Sequence, residues 1–377
     1  MIGKMMAVAA LSTAQALTTV QAPTPEYAPE TRKISMVSSV AISPSGNRLW
    51  ATWYGGITDG EDSNNYCILA TSVDKGESWK EVLIADPDGK GPYRAFDPEV
   101  WVAPDGKLRW TWTERPTLVR TDDPKTRFPD RPHGLESDHL TMLTIDAEVE
   151  PVAPFPKPQA VGIGVMMCKP IALKSGRWLF PSSHWRAEES AHVYSTDDNG
   201  QSFVAVGGAT LPPWVREFDE HNLVELKDGR IRVYMRTSRG PCGCWVAESA
   251  DGGKNWTKSA PADFPHTNSR IFVRRLKSGR LLMVKNGPLD QDVGRKQMTV
   301  YLSDDDGTTW KGGLVLSPGG CAYPDGDQMP DGTIYLTWDN DRCGRQDIHL
   351  ARFTEEDILA KKNVSGKMKL DGFIYKK

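Results

Sequence analysis

The chain is poor in the features that mark several protein classes. Its 377 residues hold six cysteines, Cys67, Cys168, Cys242, Cys244, Cys321 and Cys343, too few for a disulfide scaffold, and Cys242-Gly-Cys244 lacks zinc-ligand spacing. Buried thiols, with one or two bridges at most, are expected. No apolar run approaches the ~20 residues of a membrane span. Lys and Arg number 46 against 49 Asp and Glu, a formal net charge of -3, so nothing points to nucleic acid or an anionic membrane as partner. Helical periodicity is sustained nowhere except over Glu355 to Lys361, which argues against a parallel α/β fold. No metal motif stands out, Asp304-Asp305-Asp306 reads as turn chemistry rather than a calcium site, and no cofactor is expected.

What the chain has instead is glycine (34), proline (27) and tryptophan (13), placed with a period. Ser303 to Trp310 reads S-D-D-D-G-T-T-W between two strand-like runs, and Ser72 to Trp79, Thr196 to Phe203 and Ser249 to Trp256 repeat the template. Each is a hydroxyl residue, Asp, Gly and an aromatic at fixed offsets. As a hairpin tip this makes physical sense: the Asp and hydroxyl bond nearby amides, Gly takes a positive φ, and the aromatic folds back over the turn. Turns flanked by apolar residues recur at Gly46, Gly106, Gly176, Gly229, Gly279 and Gly332, at spacings of 60, 70, 53, 50 and 53 residues. Four of the six are followed 24 to 30 residues later by the Gly of an octet. One such unit is too short to bury both faces of a four-stranded sheet, so six units stacked radially are expected, an all-β six-bladed β-propeller.

The chain divides accordingly. Residues 1–22 read as a probable signal peptide, with Lys4 ahead of the apolar run Met5 to Leu11 and small-x-small sites at Ala14-Gln15-Ala16 and Val20-Gln21-Ala22, which implies an exported protein, periplasmic or secreted. Residues 23–33 are a lead-in and residues 34–377 the propeller. Two segments exceed what hairpins need: the acidic loop Gly55 to Asn65 and the polar insertion Thr117 to Ser137. The first is a candidate site element; the second is either a solvated excursion or a substrate-covering loop.

Charged residues collect in the middle of the chain where packing does not call for them. Glu220 leads into an apolar strand, a D-G turn follows at Gly229, and Arg236 closes the return strand. Antiparallel pairing brings Arg236 back beside Glu220 at one end of the unit. Arg295 starts the strand before the Ser303 octet, and Tyr323-Pro-Asp325-Gly-Asp327 is polar where a buried strand should be apolar. By position all four residues share one rim.

These motifs resemble the sialidase superfamily, whose six-bladed propellers carry such octets as Asp-box or BNR repeats. The likeness covers nearly all of the chain after about residue 34, and is nearest to bacterial sialidase-like exo-glycosidases with W-Y-G-G, R-A-F-D-P and Y-P-D-G motifs, here Trp53 to Gly56, Arg94 to Pro98 and Tyr323 to Gly326. The resemblance implies Tyr323 as nucleophile, Glu220 as its base, Arg236 and Arg295 as a carboxylate clamp, and an acid in the loop after the first hairpin. Asp62 suits that last role better than Asp59, by its distance to the first octet. The family's first arginine is replaced by Met36, with Arg94 or Lys169 as possible substitutes. Trp53, Trp101 and Trp185 are either pocket walls or core. His221 is expected to support neighbouring groups by hydrogen bonding, and is the first to be given another role if the reaction is an elimination.

A sugar with a carboxylate at its reacting centre repels a carboxylate nucleophile, so a neutral Tyr activated by Glu is a sensible replacement. The expected function is an exo-acting glycoside hydrolase that releases a terminal acidic sugar from a glycan or oligosaccharide. Two alternatives stand beside it: a propeller glycosidase or lyase acting on rhamnose- or uronate-type linkages, and a non-catalytic glycan-binding propeller, since octets report fold only.

Overall fold

The computed structural model describes residues 19–377 except 90, 117–137, 186–190, 217, 219, 239–241, 342, 343 and 345. Most of the expected signal peptide, the polar insertion and Cys343 therefore lie outside the described residues.

The six turn glycines all take positive φ, between 74° and 92°. Each donates its N–H to the carbonyl three residues earlier at 2.9 to 3.0 Å, as in Gly46 to Ser43 and Gly229 to Leu226. This tight reversal repeatedly joins the first and second strands of a four-stranded antiparallel meander. The first comprises Ile34–Ile42, Leu49–Gly56, Asn65–Ser72 and Lys80–Asp86, and the second Tyr93–Val102, Lys107–Pro116, His139–Asp146 and Gln159–Ile163. The third runs through Ile171–Ala172, Trp178–Ser183, Ala191–Thr196 and Val204–Ala209, and the fourth through His221–Glu225, Ile231–Arg236, Cys244–Ser249 and Ala260–Pro261. The fifth starts with Phe272–Arg275, Leu281–Asn286 and Lys296–Ser303, and the sixth ends with Ile334–Asn340, Asp347–Phe353 and Lys369–Tyr375. Between them the long strand Lys311–Gln328 serves both: its first half pairs with Lys296–Ser303 and its second with Ile334–Asn340. The chain is thus all-β, in five hydrogen-bonded sheets, one of them seven-stranded through that shared strand. Each turn glycine marks one unit.

Thr19–Gln21, inside the segment expected as a signal, adds a fifth strand to the outer edge of the first sheet. The loop expected over Gly55 to Asn65 is shorter, because Gly55 and Gly56 still pair with Tyr66 and Asn65. A Cβ on Gly56 would meet the Asn65 amide at 2.5 Å, so glycine is what lets the strand run on. Among the described residues the one α-helix is Glu355–Ala360, started by a capping box between Thr354 and Asp357.

The octets share one bonding scheme. In the first, Ser72 Oγ donates to Asp74 at 2.7 Å and accepts from Gly76 N at 2.9 Å, while Asp74 accepts from both the amide and hydroxyl of Ser78. The same bonds recur around Asp198, Asp251 and Asp305. These bonds hold the Asp74, Asp251 and Asp305 carboxyls down at about 2. The residue before each glycine also has positive φ: Lys75, Asn199, Gly252 and Asp306. Trp256 folds back as expected, its indole N–H donating to Gly253 O at 2.9 Å.

Between units the cores are aromatic. Trp50, Trp110 and Trp112 are fully buried between the first two sheets, and Trp110 Nε1 donates to Thr52 Oγ1 at 2.9 Å. Burying one such side chain stabilises by roughly 1.5–3 kcal/mol. The first and last units also touch: Val40 N and Ile42 N each donate to a carboxylate of the sixth unit, Asp325 and Asp327, at 2.9 Å.

Candidate active site

A backbone irregularity builds the site. The first strands of the first, second and sixth units carry the same two-residue bulge, between Met36 and Ser39, Phe96 and Glu99, and Ala322 and Asp325. In each the first bulged residue is left-handed without being glycine: Val37 at 54°, Asp97 at 49° and Tyr323 at 55°. Such φ values cost about 1–3 kcal/mol each and persist only where the surroundings enforce them. All three residues face one pocket of about 200 Å³, with Tyr54, Glu61, Met167, Trp185, Phe218, Glu220, Arg236 and Arg295 completing its wall.

What enforces the bulges lies directly beneath. Two residues beyond each left-handed position stand Ser39, Glu99 and Asp325, buried and tied together. Lys169 Nζ donates to Ser39 Oγ at 2.6 Å and to Asp325, and lies 3.8 Å from Glu99. Arg270, also buried, donates to Glu99 Oε1 at 2.7 Å, to the carbonyls of Met167 and Ser38, and to the carbonyl of Tyr323 at 3.0 Å. Burial, then the charge of Asp325, pushes the Glu99 carboxyl up to about 8.

In the pocket, the Tyr323 hydroxyl donates to Glu220 Oε1 at 3.2 Å and accepts from Arg236 Nη1 at 2.9 Å. Arg236 also pairs with Glu220 directly. The antiparallel register does this as expected, with Arg236 N donating to Glu220 O at 3.0 Å. Glu220 Oε2 is buried and makes no hydrogen bond among the described residues. Arg295 lies over the Tyr323 ring at 5.2 Å. Asn268 joins the two arginines, its side chain accepting from Arg236 Nε at 2.7 Å and its carbonyl from Arg295 at 2.9 and 3.1 Å. A buried phenol beside a carboxylate and a guanidinium can lose its proton to one while the other stabilises the oxygen anion.

The structure brings together Tyr323, Glu220, Arg236 and Arg295, with Trp185 beside them in the lining; the remaining residues singled out in the sequence stand elsewhere. Asp62 turns into its own loop, accepting from Thr58 Oγ1 at 2.6 Å and Asn64 N at 2.9 Å, and Asp59 does not line the pocket; the loop carboxylate that does is Glu61. Arg94 is one layer behind, 4.0 Å over the Phe96 ring and 3.5 Å from Glu61, with Nε and Nη2 making no hydrogen bond among the described residues. Lys169 belongs to the layer beneath. Trp53 is core, packed on Tyr375, and Met36 is buried against the first two units. Trp185 alone of the three candidate tryptophans lines the pocket. His221 engages Ser183 Oγ at 3.3 Å and the His192 carbonyl at 2.9 Å and is not in the lining. The five described cysteines are buried and unbridged. Sequence reasoning missed Arg270, Asn268, Asp97 and Glu61; the Asp97-Pro98 and Tyr323-Pro324 pairs were the available signal for shared bulges. A larger cavity, about 300 Å³ between Trp101, Ile171, Leu223 and Arg274, opens elsewhere along the inner strands. It has no phenol beside a carboxylate, and the chemistry assigns the smaller pocket.

Three histidines resist protonation. Burial, then the charges of His184 and His221, pushes His192 down to about 3, burial does the same to His266, and His184 is lowered by burial. Below pH ~6.5 the unfolded chain takes up protons that these rings refuse, so their stabilisation is present above that pH and lost as pH falls towards 3. Glu99, raised instead, works the other way, its share being complete at low pH and lost as pH rises through 8. The raised carboxyls of Asp86, Asp88 and Asp327 act in the same sense as Glu99, so the histidine share is read by substitution. In urea unfolding measured between pH 6.5 and 5, His192→Phe is expected to lose less stability than the wild type as pH falls, by as much as ~1.4 kcal/mol per pH unit, the share of the one proton that His192 refuses.

A stacked set of antiparallel meanders with octet turns, bearing a Tyr, Glu and paired arginines in one pocket, defines a sialidase-like class. Residues 138–336 match the model of the BNR repeat-like domain, more than half of the chain, and the protein belongs to that family and to the sialidase superfamily. A sialidase of Micromonospora viridifaciens is 30% identical over 162 residues, 41% of this chain and 24% of that protein. The match spans only about a quarter of that relative's length. Among solved structures, the intramolecular trans-sialidase of Ruminococcus gnavus, in complex with oseltamivir carboxylate, aligns with a TM-score of 0.66 at 15% identity, covering 86% of this chain and 95% of that one. A protein of unknown function from Dyadobacter fermentans aligns at 0.64 with 18% identity, covering 90% and 97%. These likenesses describe the fold.

Proposed function

We propose that this protein is an exo-acting glycoside hydrolase that releases a terminal acidic sugar, with Tyr323 as nucleophile. The observation that carries the reading is the Tyr323 hydroxyl held at 3.2 Å from Glu220 and 2.9 Å from Arg236. A phenol ordinarily ionises near pH ~10, so a base must take its proton. Glu220 takes it as Tyr323 attacks the anomeric carbon, Arg236 and Arg295 hold the substrate carboxylate, and an acid protonates the departing oxygen. Glu61 takes the acid role, since it reaches the pocket and is open enough to be reprotonated by water. Water then cleaves the tyrosyl-sugar bond and returns the phenol. The six meanders, with the first bonded to the last, are read as the blades of one closed propeller around this pocket.

Met36 in place of an arginine favours a second reading. With two arginines in the lining rather than three, the substrate carboxylate need not lie on the reacting carbon, and a rhamnose- or uronate-type linkage becomes the alternative substrate. Incubation with sialylated, rhamnosylated and uronate-bearing glycans separates the two. Release of sialic acid is the expected result; release of rhamnose or uronate alone would transfer the assignment to the second reading. An unsaturated product absorbing in the ultraviolet would make the protein a lyase.

A further inference from the structure

The pocket, at about 200 Å³, is small, and in a terminal-sugar enzyme the rest of the glycan must leave across its rim. One large aromatic surface lies four residues before the pocket-lining Phe218. Trp214 is 57% exposed, and no other aromatic is among the exposed large hydrophobic residues described. Its ring is fixed edge-to-face against Trp245, with centroids 5.9 Å apart at 82°, and Trp245 is buried. The platform is therefore held rather than loose.

Its backbone is fastened to the arginine clamp. Val215, fully buried, accepts a hydrogen bond from Ser238 N at 3.1 Å, and Ser238 Oγ donates to Asn268 Oδ1 at 3.2 Å, the oxygen that also holds Arg236. Four residues beyond Trp214, Phe218 lines the pocket and meets Trp185 edge-on at 5.1 Å. Four residues span at most ~14 Å, the reach of a short oligosaccharide. Trp185 and Phe218 are in the pocket wall, and Trp214 lies within that reach of Phe218. An exposed indole costs apolar hydration that a stacked sugar face removes, and its rigid ring loses little entropy on binding.

We propose that Trp214 is a stacking subsite for the sugar adjoining the one in the pocket, so that the protein selects oligosaccharides over free acidic monosaccharides. The proposal rests on the reading of the pocket as a terminal-sugar site. The test uses full-length Tyr323→Phe protein, with and without Trp214→Ala, on an array of sialic acid, glucuronic acid and oligosaccharides ending in each. Trp214→Ala is expected to weaken oligosaccharide binding about 10-fold, equivalent to ~1.4 kcal/mol, and to leave monosaccharide binding within twofold. Trp214→Phe should restore most of the loss. Equal losses on both classes, or none on the oligosaccharides, overturn the subsite while leaving the pocket reading intact. Absence of binding to every acidic glycan overturns the pocket reading and the subsite together.

Discussion

Tyr323→Phe is expected to remove turnover of every substrate the wild type cleaves, by on the order of 10³-fold or more, while leaving the thermal midpoint nearly unchanged. The substitution deletes one oxygen, and the Arg236 to Glu220 ion pair remains to satisfy both partners. Glu220→Gln should cost about 10²- to 10⁴-fold by removing the proton acceptor. The two effects should not add, since nucleophile and base act as one unit. Stopped-flow release of an aryl leaving group checks this: a burst of wild-type size in the Tyr323→Phe protein would remove the covalent mechanism. If Tyr323→Phe keeps full steady-state turnover, the nucleophile lies elsewhere.

How much of this was legible in the sequence follows from the range of the interactions involved. The octets and the six turn glycines were readable because their chemistry is local, Asp74 bonding Ser72 and Ser78 within one turn. Glu220 and Arg236 were readable because a hairpin of known register joins them. Tyr323 and Asp325 showed themselves as polar residues in an inner strand. The bulges were not readable as a set, since Val37, Asp97 and Tyr323 share no residue type and none is glycine. Arg270 was hidden for a different reason: its carboxylate partner Glu99 is 171 residues away, and no periodicity reports a contact between units so far apart in the chain. Trp53 and Lys169 have side chains suited to a pocket, yet burial put one in a core and the other in an ion network. Composition alone does not separate those outcomes.

The buried ion network yields the last expected result. Arg270→Met should destabilise the protein by about 3–5 kcal/mol, the usual consequence of leaving a buried partner charge uncompensated. Glu99 would keep Lys169 at 3.8 Å and face Asp325 without its nearest cation. The pH dependence separates this cause from simple loss of packing. Glu99, already raised to about 8, would be raised further without Arg270, so its proton is bound more readily in the native variant than in the native wild type. Protonation relieves the unpaired charge; the destabilisation should therefore be smaller at pH 6 than at pH 9. Adding Glu99→Leu should recover much of the loss, because two apolar side chains leave no stranded charge. The network also fixes the nucleophile, since Arg270 donates to the Tyr323 carbonyl at 3.0 Å and so helps to hold its φ of 55°. In the double variant, recovered stability with turnover still depressed would identify Arg270 as a positioning residue for Tyr323. Full recovery of both would confine it to holding the fold.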